Sequence, residues 1–405
     1  MLNEMNRYVN ILTDIVYLAV LAAIGYICFK LFGMMIVNLD GNYRTDFHYY
    51  IWRATDGWNG AYRFTVVVFR LLYLLTGTVL SINIYMAVQI VLIILSNHAY
   101  IHYYSGCDTK NTGCRVLVHV LSIAALMAGP IYVPGIHRAF YRNTFASFAW
   151  HSPTQQMMTL FVILGTICLF KMLDGYEEKV SVKWWIGTTV FYFLSAYSKP
   201  NFIIDIAPAI VIVFLIELFI QNGVPFGRKF LRLFVMGCAF VPSGVYMLIL
   251  HYHLYEDKAQ TVESDIIVNS SKFTEYEHIW VAVVCCLAFA LIVMLFNIVK
   301  IFKDRRYRII LLSALCGFLQ WGLLDENGDR AGHGNFEWGC IIGCYMLTLT
   351  CIAIAVENFR DKDFLWGKKW LRVPYFILLA GALALQVASQ TYYFYTMYMG
   401  AGYYR

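Results

Sequence analysis

The chain has 405 residues, of which 60% are apolar and only 14% charged, and its mean hydropathy is +0.60. A soluble domain carries about 45–50% apolar and about 25% charged residues, so an ordinary cytosolic or secreted globule is excluded and a polytopic membrane protein is expected. The net charge of +6 is modest and not gathered into one patch, which leaves nucleic-acid binding without support.

In chain order, the first apolar run, residues 15–37, is long enough to span a bilayer. It ends in no small-residue cleavage pattern, so it reads as a retained helix rather than a signal peptide. Further runs follow at 79–102, 116–133, 157–173, 184–197, 202–220, 233–251, 279–299, 309–324, 340–356 and 373–395. They predict about 11 transmembrane helices, with 10 to 12 as the range, because the turn at Ser198-Lys199-Pro200-Asn201 reads either as a tight hairpin or as one broken segment. Residues 64–76, interrupted by Arg70, read as an amphipathic helix in the interface, with the arginine snorkelling. The expected fold is therefore all-α: a single integral membrane domain over residues 1–405 with interfacial helices and no separate soluble domain. Almost all of the 11 cysteines fall inside apolar runs, so a disulfide framework is not expected.

Lysine and arginine are retained on the cytoplasmic side of membrane proteins. With the amino terminus inside, the connections at 107–115, 174–183, 221–232, 300–308 and 357–372 are cytoplasmic and carry 17 Lys and Arg. The opposite set, 38–63, 134–156, 252–278 and 325–338, is longer and carries 8. Chemistry is then expected to face outward, with the carboxy terminus also outside.

Three outer segments hold ionisable groups that could carry it. The first follows helix one and contains Asp46, His48 and a run of aromatics ending at Trp52-Arg53. A carboxylate in a dry, aromatic setting suits a general base, although an aromatic belt with a solvated aspartate explains the same residues. The segment before the fourth long run holds Arg138, Arg142 and Trp150-His151-Ser152-Pro153-Thr154. Ser152 and Pro153 there predict a helix start, and Arg138 and His151 are candidates for an anionic ligand. The late segment reads Asp325-Glu326-Asn327-Gly328-Asp329-Arg330-Ala331-Gly332-His333-Gly334-Asn335-Phe336-Glu337-Trp338-Gly339. Its glycines let backbone N–H groups approach an anion, and Arg330 can clamp a phosphate. Lys199 and Asp205, at a hairpin in an apolar region, are costly unless paired, interfacial or facing a cavity. The acidic stretch 252–278 reads as a solvated loop or a short surface helix.

An outer-loop aspartate after helix one, a Trp-His-Ser-Pro-Thr helix entry, a Leu-Ser-x-x-x-Lys-Pro-Asn-Phe stretch and a late Glu-Asn-Gly-x-Arg-x-x-His-Gly-Asn-Phe-x-Trp-Gly loop resemble bacterial multi-pass proteins similar to the GT-C class of glycosyltransferases. The resemblance implies transfer of a sugar from a polyprenyl-phosphate donor to a glycan or other acceptor at the outer leaflet of the bacterial plasma membrane. It implies Asp46 as base, His48 as its orienter or a metal ligand, and Arg330 with His333 on the donor phosphate. Glu326, Asn335, Arg138, His151 and Lys199 are further substrate-binding candidates. The second carboxylate of the usual Asp-x-Asp pattern is His48 here, which favours a metal-independent variant or one with His48 on a divalent ion, to which Glu326 or Asp325 could add a ligand. A transporter or flippase, and a polysaccharide polymerase of another fold, are the alternatives. A transporter would concentrate ionisable groups in mid-helix, and here they concentrate in the outer loops.

Overall fold

The computed structural model describes residues 2–37, 45–55, 63–108, 110–134, 148, 150–220, 223–252, 265–275, 278–328 and 335–400. The chain is an α-helical polytopic membrane protein, and among the described residues its only paired strands form one two-stranded ladder.

Helix α1 (Leu2–Val37) is followed by the short α2 (Phe47–Thr55) and α3 (Arg63–Thr76), then by α4 (Leu80–Ser105), α5 (Thr112–Leu126), α6 (Pro153–Asp174), α7 (Val182–Ser198) and α8 (Asn201–Phe219). Helix α9 (Phe226–Gly237) passes through a 3-10 turn at Cys238–Phe240 into α10 (Val241–His251). The joint coincides with Pro242, which has no N–H to donate. Then come α11 (Lys272–Glu275), α12 (Ile279–Phe296), α13 (Ile298–Lys303), α14 (Arg305–Leu323), α15 (Asn335–Arg360) and α16 (Lys369–Tyr398). Among the described residues, eight helices are long and apolar enough to cross a membrane: α1, α4, α6, α8, the α9–α10 rod, α12, α15 and α16. Helices α5, α7 and α14 fall short of that measure in length or apolarity.

Two expectations change. The run 116–133 is not one helix, because α5 stops at Leu126 and Gly129-Pro130 cannot continue it. The extended residues after it lie against α12 and α16, where Ile131 N–H donates to the Cys285 carbonyl at 3.0 Å and Tyr132 N–H to the Ser389 hydroxyl at 3.0 Å. Non-helical backbone at such depth is tolerated where protein groups satisfy it. Within 252–278, the β-branched run Ile266–Val268 forms strand β1, which pairs antiparallel with β2 (Leu324–Glu326), Ile267 facing Asp325. The strand ties this stretch to the late loop.

The core is built around α15. It is apolar on every side, and 94% of its most apolar stretch is buried, against 22% for the peripheral α16. Its glycines let α14 come close: a Cβ on Gly343 would lie 3.0 Å from the Ala314 Cα. Polar side chains add ties between helices. Tyr345 donates to Asn97 at 2.8 Å, and the Tyr100 and Thr350 hydroxyls pair at 2.7 Å. Gln386 donates to the Cys286 carbonyl at 2.7 Å and accepts from Phe289 N–H at 3.3 Å.

Gly343→Val should therefore cost about 1–3 kcal/mol through overpacking and lower the melting temperature of the detergent-solubilised protein. Gly381→Val, where an added Cβ meets nothing within 4 Å, should leave it nearly unchanged. Equal melting of the two variants would refute the close α14–α15 approach.

Candidate functional site at one end of the helix bundle

Four segments that lie far apart in sequence converge at one end of the bundle. The first is the turn entering α2. Asp46 N–H and the Thr45 hydroxyl both donate to the His151 carbonyl, each at 3.0 Å, and the Thr45 hydroxyl accepts Phe47 N–H at 3.1 Å. Helix α2 buries Phe47, Tyr50 and Ala54, spaced three and four residues apart, and Phe47 stacks on Phe32 of α1 at 5.2 Å. Asp46 is half-buried where this helix begins.

The second segment is the entry to α6. Ser152 takes the cap position and Pro153 the first turn, as the sequence predicts, but the Ser152 hydroxyl pairs with Thr154 at 3.2 Å rather than capping a backbone N–H. Trp150 is clamped between Phe148 and Phe394, at 4.5 and 4.7 Å, which fixes the chain just before His151.

The hairpin between α7 and α8 supplies the third. Pro200 disfavours helical geometry at the residue before it, so Lys199 is extended (φ −161°, ψ 120°) and ends α7. Its side chain is turned into the protein, 4% exposed, with the ammonium 3.6 Å from the centre of the Trp338 ring. Trp338, in the first turn of α15, is the fourth contribution, and the His151 ring lies on it at 5.7 Å. The indole thus meets both a cation and an imidazole.

A second layer holds these positions. Asn201 Nδ2 donates to the Asn335 carbonyl, and Asn335 Nδ2 donates to buried Glu326 at the end of β2. Lys272 donates to the Leu324 carbonyl at 3.0 Å and lies 3.7 Å from Asp325. One turn beyond Asn201, buried Asp205 sits against the bare backbones of Gly317 and Gly339, where a Cβ on Gly339 would come within 2.5 Å of its Oδ2. Lys199 stacks on Trp338 rather than forming an ion pair with Asp205, the partner suggested by sequence proximity.

Electrostatics follow from burial. Desolvation pushes the Lys199 ammonium down to about 7, while the Asp46 carboxylate pulls it back up. Burial pushes the His151 imidazole down to about 4; the Asp46 charge opposes that fall and Lys199 adds to it. At neutral pH the site holds a neutral imidazole, a lysine near its midpoint and a carboxylate. That combination can bind an anion beside a proton acceptor.

Of the residues expected from sequence, Asp46, His151 and Lys199 come together here, with Asn335 and Glu326 behind them. His48 is exposed, and no hydrogen bond or ion pair joins it to any described residue. Arg138, Arg330 and His333 lie outside the described residues. Trp338 and Asn201, from the Glu-Trp-Gly and Lys-Pro-Asn stretches, join the site as an aromatic platform and a backbone tie. Among the described residues no three His, Cys, Asp or Glu side chains are grouped to hold a metal ion. No protein-family model matches the chain, and no curated protein matches it in sequence.

Because the Lys199 charge is present below pH 7 and lost above it, binding of a short alkyl phosphate, followed by calorimetry in detergent, should weaken as pH rises through about 7. Lys199→Arg should keep binding level across that range. The stability sign is opposite: the unfolded chain holds the extra proton between pH 7 and its ordinary 10.5, so this group's contribution to stability rises with pH in that window. A pH-independent wild type would remove Lys199 from the site.

Proposed function

We propose that the protein is a GT-C-like glycosyltransferase that moves a sugar from a polyprenyl-phosphate donor to an acceptor hydroxyl at the outer leaflet. The observation that carries the reading is the convergence of Asp46, His151, Lys199 and Trp338 at one end of helices able to cross a membrane. A lipid-linked donor reaches its enzyme through the bilayer, so its phosphate arrives at helix-end depth. There Lys199 supplies a charge for the phosphate, and neutral His151 supplies a ring nitrogen that donates without adding charge.

In this reading Asp46 accepts the proton of the acceptor hydroxyl. The freed oxygen attacks the anomeric carbon, the bond from that carbon to the phosphate oxygen breaks, and polyprenyl phosphate leaves with the electron pair on its oxygen. Asp46 acts without His48, since the charged and aromatic groups around it come from the α6 entry and the α7–α8 hairpin. Arg330 and His333 are assigned to the donor phosphate by the resemblance, with Arg138 a further substrate-binding candidate. No step is routed through a divalent ion, since a histidine, His48, stands where the usual pattern has its second carboxylate and favours a metal-independent variant. The outward orientation rests on the division of 17 Lys and Arg on one loop set against 8 on the other.

The test is transfer from a radiolabelled polyprenyl-phosphate sugar pool in membranes. Asp46→Asn should fold and retain donor while losing roughly 10²–10⁴-fold in turnover, and Lys199→Ala should weaken donor binding instead. Chelators should have little effect on either. Near-normal turnover in Asp46→Asn ends the base assignment, and movement of lipid-linked sugar across the membrane without transfer hands the site to a flippase.

A further inference from the structure

Three helices bring a histidine cluster together at the other end of the bundle. Asp14 of α1 lies 18 residues before Phe32, about 27 Å along the helix from the ring that packs on Phe47 beside the Asp46 turn. The Asp14 carboxylate takes the Arg115 guanidinium at 2.6 Å and His119 Nε2 at 3.1 Å, both from α5. Tyr17, one turn along α1, lies flat on the His119 ring at 4.0 Å and pairs with the Ser122 hydroxyl at 2.9 Å. From α4, the His98 ring sits 5.0 Å from the His119 ring.

Two ring nitrogens of this cluster are left over. His119 Nδ1 and His98 Nε2 are both buried, and neither meets a hydrogen-bond partner among the described residues. His119 as a whole is 8% exposed. Because its Nε2 faces a carboxylate, the ring proton belongs on that nitrogen, and Nδ1 keeps a free lone pair. A buried acceptor without a partner is costly, and a carboxylate behind an imidazole is the common support of a metal-bound histidine. Two imidazoles sharing a tetrahedral ion at 2.0–2.1 Å have ring centres about 5 Å apart, the separation found between His98 and His119. His102 follows His98 by four residues, the spacing that sets two histidines on one helix face. Its side chain is exposed and makes no hydrogen bond or ion pair among the described residues.

We propose that His98 and His119 bind a divalent late-transition ion, zinc or copper, with the free His102 side chain turning in as a third imidazole and water completing the shell. Asp14 orients His119 from behind and, with its side chain 44% exposed, marks the side from which the ion enters. Neutral imidazoles suit these ions, whereas magnesium and calcium require oxygen ligands and are not expected to bind. The Asp14 charge offsets part of the ion's charge, and Arg115, which shares that carboxylate, works against it. Binding is therefore weaker than at a closed structural zinc site. A bound ion ties α4 directly to α5 and, through Asp14, to α1. The site does not depend on the function proposed for the Asp46 cluster.

The experiment uses the purified full chain without a histidine tag, stripped with chelator and held in detergent. Zinc alone is titrated by calorimetry, and cupric ion is followed by electron paramagnetic resonance. One equivalent of zinc should bind, and bound copper should show nitrogen hyperfine coupling from imidazole. Asp14→Asn should weaken zinc binding by roughly 10–100-fold, the usual weight of an outer-shell partner, and His98→Gln and His119→Gln by at least as much. His102→Gln should cost less than either. His278→Gln, exposed at the start of α12 and outside the cluster, should change nothing. His98 makes no hydrogen bond among the described residues, so His98→Gln should melt as the wild type does without metal and lose only the rise in melting temperature that zinc confers. Zinc affinity unchanged in both His98→Gln and His119→Gln, or a copper spectrum free of nitrogen coupling, would overturn the site.

Discussion

In hydrocarbon a backbone N–H or C=O has no water to turn to, and each one left unpaired costs several kcal/mol. That constraint governs the rest of this molecule. It makes the chain a set of helices, and where it departs from helix at depth, after α5, the exposed amides are taken by α12 and α16. Since lipid is as apolar as leucine, burial alone does not drive helices together, so close backbone approach and a few interhelical hydrogen bonds must hold them. Helix α15 is where both are concentrated, with Gly339 and Gly343 against α8 and α14 and Tyr345 and Thr350 bonded to α4.

The same scarcity of water gives the candidate site its chemistry. A lysine that is 4% exposed loses most of its hydration, and the carboxylate of Asp46 returns only part of it. The indole of Trp338 faces the ammonium and supplies a further, non-titrating stabilisation of charge. The outcome is a cation poised near neutrality, next to an imidazole held neutral. Such a pair can take a charged ligand, which suits the lipid phosphate of the proposed function.

The two ends of the bundle differ in how they use charge. At the site end the ionisable groups are few, buried and fed from separate loops, so each is set by its surroundings. At the opposite end Glu217 and Asp304 are saturated by arginines and tyrosines, forming a clamp between α6, α8 and α14. Because α8 runs between Lys199-Pro200 at one end and Glu217 at the other, that clamp anchors the helix whose first two turns carry Asn201 and Asp205.

Composition and apolar run length determined by themselves that this is an all-helical membrane chain, because a span's requirement for about 20 apolar residues is written locally. The same local logic identified the start of α6 at Ser152-Pro153 and the break at Lys199-Pro200, where proline geometry acts on its immediate neighbours. Asp46, His151 and Lys199 could be picked out one at a time as ionisable groups in odd places. Only the tertiary structure decided that they share one site, since they meet through helix packing across roughly 50 to 100 residues of intervening sequence each. It also decided that Lys199 belongs to Trp338 rather than to Asp205, that His48 lies outside the cluster, and that Ile266–Val268 pairs with the late loop. Partner choice of this kind depends on distance and burial in three dimensions, and neither is encoded in the spacing of residues along the chain.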